Sequence, residues 1–123
     1  MAFAVKVVSA EARLDGCIAE SFATDEPLAL AVTDIDHFKR FNDTYGHAAG
    51  EYLLFAVGKR LQRSFRPTDL VARYGAEEFA VILPETRKEE ASEIGERLRL
   101  DVESVYFPGE ETLPNGRLTV SLG

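Results

Sequence analysis

The stretch Arg73-Tyr74-Gly75-Ala76-Glu77-Glu78-Phe79-Ala80-Val81-Ile82-Leu83-Pro84 constrains this chain more than any other. Apolar segments from Val71 to Tyr74 and from Phe79 to Leu83 flank a glycine, which reads as a β-hairpin with Gly75-Ala76 at its corner. Glycine first in a two-residue turn suits type II′ geometry, because that position needs a positive φ. The turn throws Glu77 and Glu78 together at a strand edge. Adjacent carboxylates there do nothing for a core. They suit a hard divalent cation, which takes oxygen ligands.

The segments around the hairpin alternate in type. Ser9 is a reasonable cap for a helix over Ala10 to Ala23, with Leu14, Cys17, Ile18 and Phe22 near one face. Leu28 to Thr33 fits a buried strand that runs into Asp34-Ile35-Asp36. A helix from His37 to Tyr45 turns Phe38, Phe41 and Tyr45 inward, and Gly46 closes it. A longer helix over Ala49 to Phe65 carries Leu54, Val57, Leu61 and Phe65 on one side, and Pro67 stops it. Thr86 and Glu89 form a capping-box pattern ahead of a helix in which Ala91, Ile94, Leu98, Val102 and Val105 repeat. Asn115-Gly116 signals a hairpin, and Leu118 to Leu122 alternates as a last strand. This order predicts an α+β fold, a mostly antiparallel sheet flanked by helices.

Length and charge narrow the function classes. At 123 residues the chain is one domain. Its net charge of -7 argues against a nucleic-acid polymer as partner, which wants a basic face. The single cysteine, Cys17, cannot pair within the chain, which points to a reducing, cytoplasmic setting. Apolar runs such as Leu28 to Val32 are too short to span a bilayer, so no membrane contact by this segment is expected.

Several residues carry two readings. If their strands are neighbours, Asp34 and Glu77 meet at one sheet end and could hold Mg²⁺ with help from phosphates. Asp34 and Asp36 could instead cap the next helix, a reading that local sequence favours for Asp36. Free amides at the start of the His37 helix suit phosphate, and Lys39 adds a positive charge there or is simply solvated. Asn42 could read a base edge or be polar surface, and His47 reads as a loop histidine. Arg66 and Asp69 could clamp a guanine and a phosphate, although spacing alone favours a surface ion pair. Arg97 carries no signal of its own.

Taken together, Asp34-Ile35-Asp36-His37-Phe38-Lys39-Arg40-Phe41-Asn42-Asp43-Thr44-Tyr45-Gly46-His47, then Gly50, then Arg73 to Phe79, resemble the GGDEF family of diguanylate cyclases in order and spacing. The similarity covers roughly Leu28 to Gly123. It implies a palm-like (ferredoxin-like) sheet related to class III nucleotide cyclases, with residues 1–27 a helical lead-in and 28–123 the core of a partial domain. It implies that two GTP condense to cyclic di-GMP with loss of pyrophosphate, in a homodimer whose domains each present one GTP.

Carried over from the resemblance, Asp34, the Ile35 carbonyl and Glu77 would hold Mg²⁺, or Mn²⁺ in its place. Glu78 would support the metal site or proton transfer. Lys39 would touch phosphate, Asn42 and Glu51 would read guanine, and Gly75 and Ala76 would lie against the nucleotide. Arg66 and Asp69 match the family's RxxD inhibitory site for cyclic di-GMP, with Arg97 joining them, so product binding becomes the favoured reading of that pair. A sensory or receiver domain would complete the full-length protein. This sequence departs from the pattern at four places. Ala76 replaces the second signature glycine, and Glu51 stands where Asp is usual. The customary entry motif is absent from Met1 to Val8, and Gly123 precedes the helix that carries phosphate-binding Lys and Arg in relatives. The alternative reading is a degenerate domain that binds cyclic di-GMP or GTP without turning it over.

Overall fold

The computed structural model describes residues 14–73 and 75–123. Residues 14–24 are helical (α1). After them come β1 (Leu28–Ile35), α2 (Phe38–Tyr45), α3 (His47–Ser64), β2 (Leu70–Arg73), β3 (Glu78–Pro84), α4 (Lys88–Ser104) and β4 (Val120–Leu122). Two 3₁₀ turns, Glu110–Thr112 and Pro114–Gly116, link α4 to β4. The expected cap at Ser9 and the segment before it lie outside the described residues.

The four strands form one sheet in the order β2-β3-β1-β4, with all three pairings antiparallel. From β1 onward, two strand-helix-strand crossovers interleave, which is the split βαβ, ferredoxin-like arrangement. The α+β class expected from the sequence is the class observed. The pleat divides the sheet into two faces. Thr33 pairs with Phe79, Ala31 with Val81, and Val71 with Val81, so these share one face. That face packs on Phe38, Phe41, Leu54, Val57, Leu61, Leu98 and Val102 from the helices, in one apolar cluster. Asp34 pairs with both Glu78 and Ser121, so all three share the opposite face at one end of the sheet.

The helices follow their apolar spacing. In α3, Gly50, Leu53, Leu54, Val57, Gly58 and Leu61 are buried, an i, i+3, i+4, i+7 stripe. Burying each large aliphatic side chain of such a stripe contributes roughly 1.5–3 kcal/mol. Helix α2 buries Phe38 and Phe41, but Tyr45 is 43% exposed, so the expected three-residue stripe has two members. Tyr45 instead lies against Phe41, the rings tilted by 49° with centroids 4.9 Å apart.

Other expectations are revised. Strand β1 runs two residues past Thr33, so Asp34 lies within the ladder, and Leu30 is 49% exposed on a strand read as wholly buried. His37 precedes its helix as a left-handed residue, φ 60°. Thr86 caps nothing: the N-cap of α4 is Arg87, with no side-chain cap bond, and the buried Thr86 hydroxyl donates to the Pro84 carbonyl. Asn115-Gly116 forms a 3₁₀ turn and no hairpin, because β4 pairs with β1. In the β2–β3 hairpin, Arg73 stands opposite Phe79 and the Gly75 amide donates to the Glu78 carbonyl at 3.3 Å, so the two-residue corner is Ala76-Glu77, one residue on from the expected Gly75-Ala76, and Gly75 precedes it.

Candidate active site

The acidic groups of β1 and the hairpin meet at one sheet end because register brings them there. Asp34 stands opposite Glu78, and the amide of Ile35 donates to the Glu77 carbonyl at 3.2 Å. Glu77 is partly buried. That burial, then the negative charges of Asp34 and Glu78, raise its carboxyl above the ordinary glutamate range. None of the three carboxylates has a hydrogen bond or ion pair to a basic side chain among the described residues. Uncompensated like charge at a half-buried edge is the environment a cation relieves.

The residues present fit a hard divalent ion of modest protein denticity. Among the described residues, no group of three or more His, Cys, Asp or Glu side chains gathers closely enough to hold a metal by itself. Two carboxylates with a backbone carbonyl and substrate phosphates would match the way Mg²⁺ is usually held.

Asp36 is not the helix cap it was expected to be. Its carboxylate accepts from the Thr119 hydroxyl at 2.7 Å and the Ser121 hydroxyl at 2.6 Å, while its amide donates to the Thr119 carbonyl at 3.0 Å. The first turn of α2 therefore has no side-chain cap, and its amides stay open beside exposed Lys39.

Glu78 folds back over the turn. A Cβ at Gly75 would sit 2.5 Å from Glu78 Oε1, so the glycine is what gives that carboxylate its place. Ala76 is exposed at the outer edge of the turn. Asn42 and Glu51 come from consecutive helices and converge. The Asn42 side chain lies over Gly50, where an added Cβ would come within 1.7 Å of Asn42 Oδ1, and that oxygen is buried with no partner. Glu51 follows directly in α3.

Arg73, absent from the sequence-derived set, holds this region together. Its Nη1 and Nη2 donate to Glu51 at 3.0 and 3.1 Å, its Nε to the Gly75 carbonyl at 3.2 Å, and its Nη2 to the Ala76 carbonyl at 3.1 Å. The Arg73 hydrogen bond and charge hold the Glu51 carboxyl below its usual range. Strand parity could have found it: Val71 faces the core, so Arg73 must point toward the helices.

Arg66 and Asp69 form a second centre at the far end of β2. The Asp69 side chain, 1% exposed, accepts from the Arg66 backbone amide at 2.9 Å and from its guanidinium at 2.8–3.2 Å. Arg66 Nη2 also reaches Thr86 Oγ1 at 2.8 Å and the Pro84 carbonyl at 3.2 Å. The pair is thus a built corner and no loose surface contact. It opens onto a groove of about 500 Å³ whose other wall is α1, with Cys17, Glu20, Ser21 and Thr24. Arg97 lines a separate, smaller hollow with Phe65 and Asp101, and among the described residues it has no hydrogen bond or ion pair.

Comparison with known proteins agrees on one family. The model described as "Diguanylate cyclase, GGDEF domain" matches residues 8–123. The diguanylate cyclase DgcP of Pseudomonas aeruginosa is 42% identical over 100 residues, 80% of this chain and 15% of that protein. The response regulator PleD of Caulobacter vibrioides is 37% identical over 115 residues, 90% of this chain and 24% of that protein. This chain therefore spans a minor part of the length of these relatives. The crystal structure of the GGDEF domain of DgcB from Caulobacter crescentus, in complex with c-di-GMP, superposes with a TM-score of 0.84 at 36% identity, over 95% of this chain and 69% of that one.

Proposed function

This chain belongs to the GGDEF, diguanylate cyclase, domain family, and on that premise we propose that it condenses two GTP into cyclic di-GMP, releasing two pyrophosphates. The observation that carries this reading is the acidic sheet end: Asp34, Glu77 and Glu78 gathered without a basic partner among the described residues, beside an open helix start. In each half-reaction the 3′-hydroxyl of one GTP attacks the α-phosphorus of the other. The phosphoester bond forms, the bond to pyrophosphate breaks, and the hydroxyl proton must be taken up.

Asp34, the Ile35 carbonyl and Glu77 are the groups that would hold Mg²⁺ or Mn²⁺. When bound, such a metal supplies positive charge at the triphosphate and favours the ionised hydroxyl. Glu78, resting on Gly75, either braces Glu77 or accepts the proton. Lys39 and the uncapped amides of α2 receive phosphate. Asn42 and Glu51 face the guanine. Because each domain presents one GTP, the working unit is a homodimer, with a sensory or receiver domain in the full-length protein. Product returns to Arg66 and Asp69, in the groove against α1, and restrains the enzyme.

A second reading rests on the prebuilt Arg66-Asp69 corner and on Ala76: a receptor that binds cyclic di-GMP without making it. Incubation with GTP and Mg²⁺ at high protein concentration separates the two. Chromatography should detect cyclic di-GMP. No product, with cyclic di-GMP binding retained, would establish the receptor and overturn the enzyme.

A further inference from the structure

We infer that Arg73 is a positioning residue for base recognition, presenting Glu51 to the nucleobase and fixing the Gly75-Ala76 turn in register with it. The inference rests on the reading that Glu51 faces guanine, and it goes beyond that reading in assigning how the carboxylate is aimed.

Arg73 ends β2, and its pairing with Phe79 places it on the helix-bearing face of the sheet. Three guanidinium nitrogens make four hydrogen bonds, two to Glu51 and two to turn carbonyls. A lysine, with a point charge on a flexible stem, cannot reproduce that planar fork. Glu51 needs such a partner. It stands on the exposed side of α3 with its side chain 51% accessible, and a free glutamate there would sample many rotamers. The fork selects one.

The fork also leaves Glu51 able to bind. Each carboxylate oxygen has two acceptor sites, and Arg73 takes one on each. The two left over point outward in opposite directions, so a base edge can meet only one of them. Its match is a single donor, such as the 2-amino group of guanine. Hypoxanthine lacks that amino group and leaves the acceptor without its donor. The turn is tied to the same cation, so base and triphosphate are aligned by one side chain.

Titration calorimetry with Mg²⁺ and the 3′-deoxy forms of GTP and ITP reads binding without turnover. The parent should prefer the guanine nucleotide. Arg73→Gln should weaken guanine nucleotide binding about tenfold, the loss of one charge-assisted contact, and weaken the inosine form less. The preference therefore narrows. Glu51→Gln should narrow it in the same way, and the preference of the double variant should be no narrower than that of Glu51→Gln alone. Arg73→Lys, which keeps charge and bulk, should show the same narrowing and serves if Arg73→Gln does not fold. An unchanged preference in the Arg73 variants, or additive narrowing in the double variant, overturns the inference. A parent that binds neither nucleotide overturns the proposed function and this inference with it, whereas a binding parent with unaffected variants overturns this inference alone.

Discussion

Asp36 and Thr119, 83 residues apart, meet twice: hydroxyl to carboxylate at 2.7 Å and amide to carbonyl at 3.0 Å. The contact divides the Asp34-Ile35-Asp36 segment by role. Asp36 fastens the chain entering β4 to the end of β1, and Asp34 on the neighbouring position is left for the acidic edge. Asp36→Ala would remove the acceptor of two hydroxyls that water can partly reach, and should cost about 0.5–1.5 kcal/mol in denaturant unfolding. Asp36→Asn, which can accept one of the two hydrogen bonds, should cost less. Equal stability of Asp36→Ala and the parent would remove Asp36 from the fold's fastening.

Glu77 sets a pH dependence whose sign is fixed by its surroundings. Burial first, then Asp34 and Glu78, raise its carboxyl in the folded state. A raised carboxyl is a stabilising group when protonated, below its unfolded value, and that contribution is lost as pH rises through the folded value. Glu77→Gln should therefore melt higher than the parent at neutral pH, with the gap closing as pH falls from the raised folded value down to the ordinary glutamate value. The same variant should lower cyclic di-GMP synthesis by at least about 100-fold, because losing a metal-holding group should cost no less than losing one of the outer partners that orient such groups. A variant melting below the parent at neutral pH would reverse the assignment of strain to this carboxylate.

Much of this arrangement was legible in the sequence because periodicity reports burial. The α3 stripe and the β3 alternation are written in Leu54, Val57, Leu61 and in Phe79, Val81, Leu83. What escaped were contacts between distant segments. Nothing near Asp36 announces Thr119, and nothing near Thr86 announces that Arg66 will claim its hydroxyl and leave the capping-box pattern unused. Asn115-Gly116 misled because its local signal suits a hairpin, while the partner of β4 is β1 on the far side of the chain. Arg73 is silent for the opposite reason: it sits inside a recognisable signature dominated by its acids, and only the two-residue strand period from Val71 places it on the helix-bearing face.

Two glycines touch the candidate site, and they should respond differently. At Gly75 a new Cβ meets the far end of a flexible side chain, Glu78 Oε1 at 2.5 Å, which can swing away. Gly75→Ala should leave unfolding within about 0.5 kcal/mol while displacing Glu78 and lowering turnover. At Gly50 the Cβ meets Asn42 Oδ1 at 1.7 Å and the Phe38 ring at 3.2 Å, inside the packing of two helices. Gly50→Ala should cost about 1–3 kcal/mol, as overpacked cores do, and should weaken nucleotide binding through Asn42. Thermal melts and calorimetry on the two variants check both halves. A stable Gly50→Ala would mean that the α2–α3 contact yields more easily than the structure indicates.

Arg97 offers the cleanest test of product binding. Arg66→Ala is a poor one, because Asp69, 1% exposed, would be stranded without the guanidinium that satisfies it. A buried carboxylate left short of partners costs about 1–3 kcal/mol, so lost binding and lost folding would be confounded. Arg97 has no hydrogen bond or ion pair among the described residues and is exposed on α4, so its removal should leave the melting temperature unchanged. If Arg97 joins Arg66 and Asp69 around cyclic di-GMP, Arg97→Ala should weaken that binding about tenfold, the worth of one charge-assisted contact to phosphate. Salt should weaken parent binding more steeply than variant binding, since one fewer cation faces the ligand. Unchanged affinity in Arg97→Ala would confine the product site to the Arg66-Asp69 corner and the α1 groove, and the hollow beside Phe65 would have no part in it.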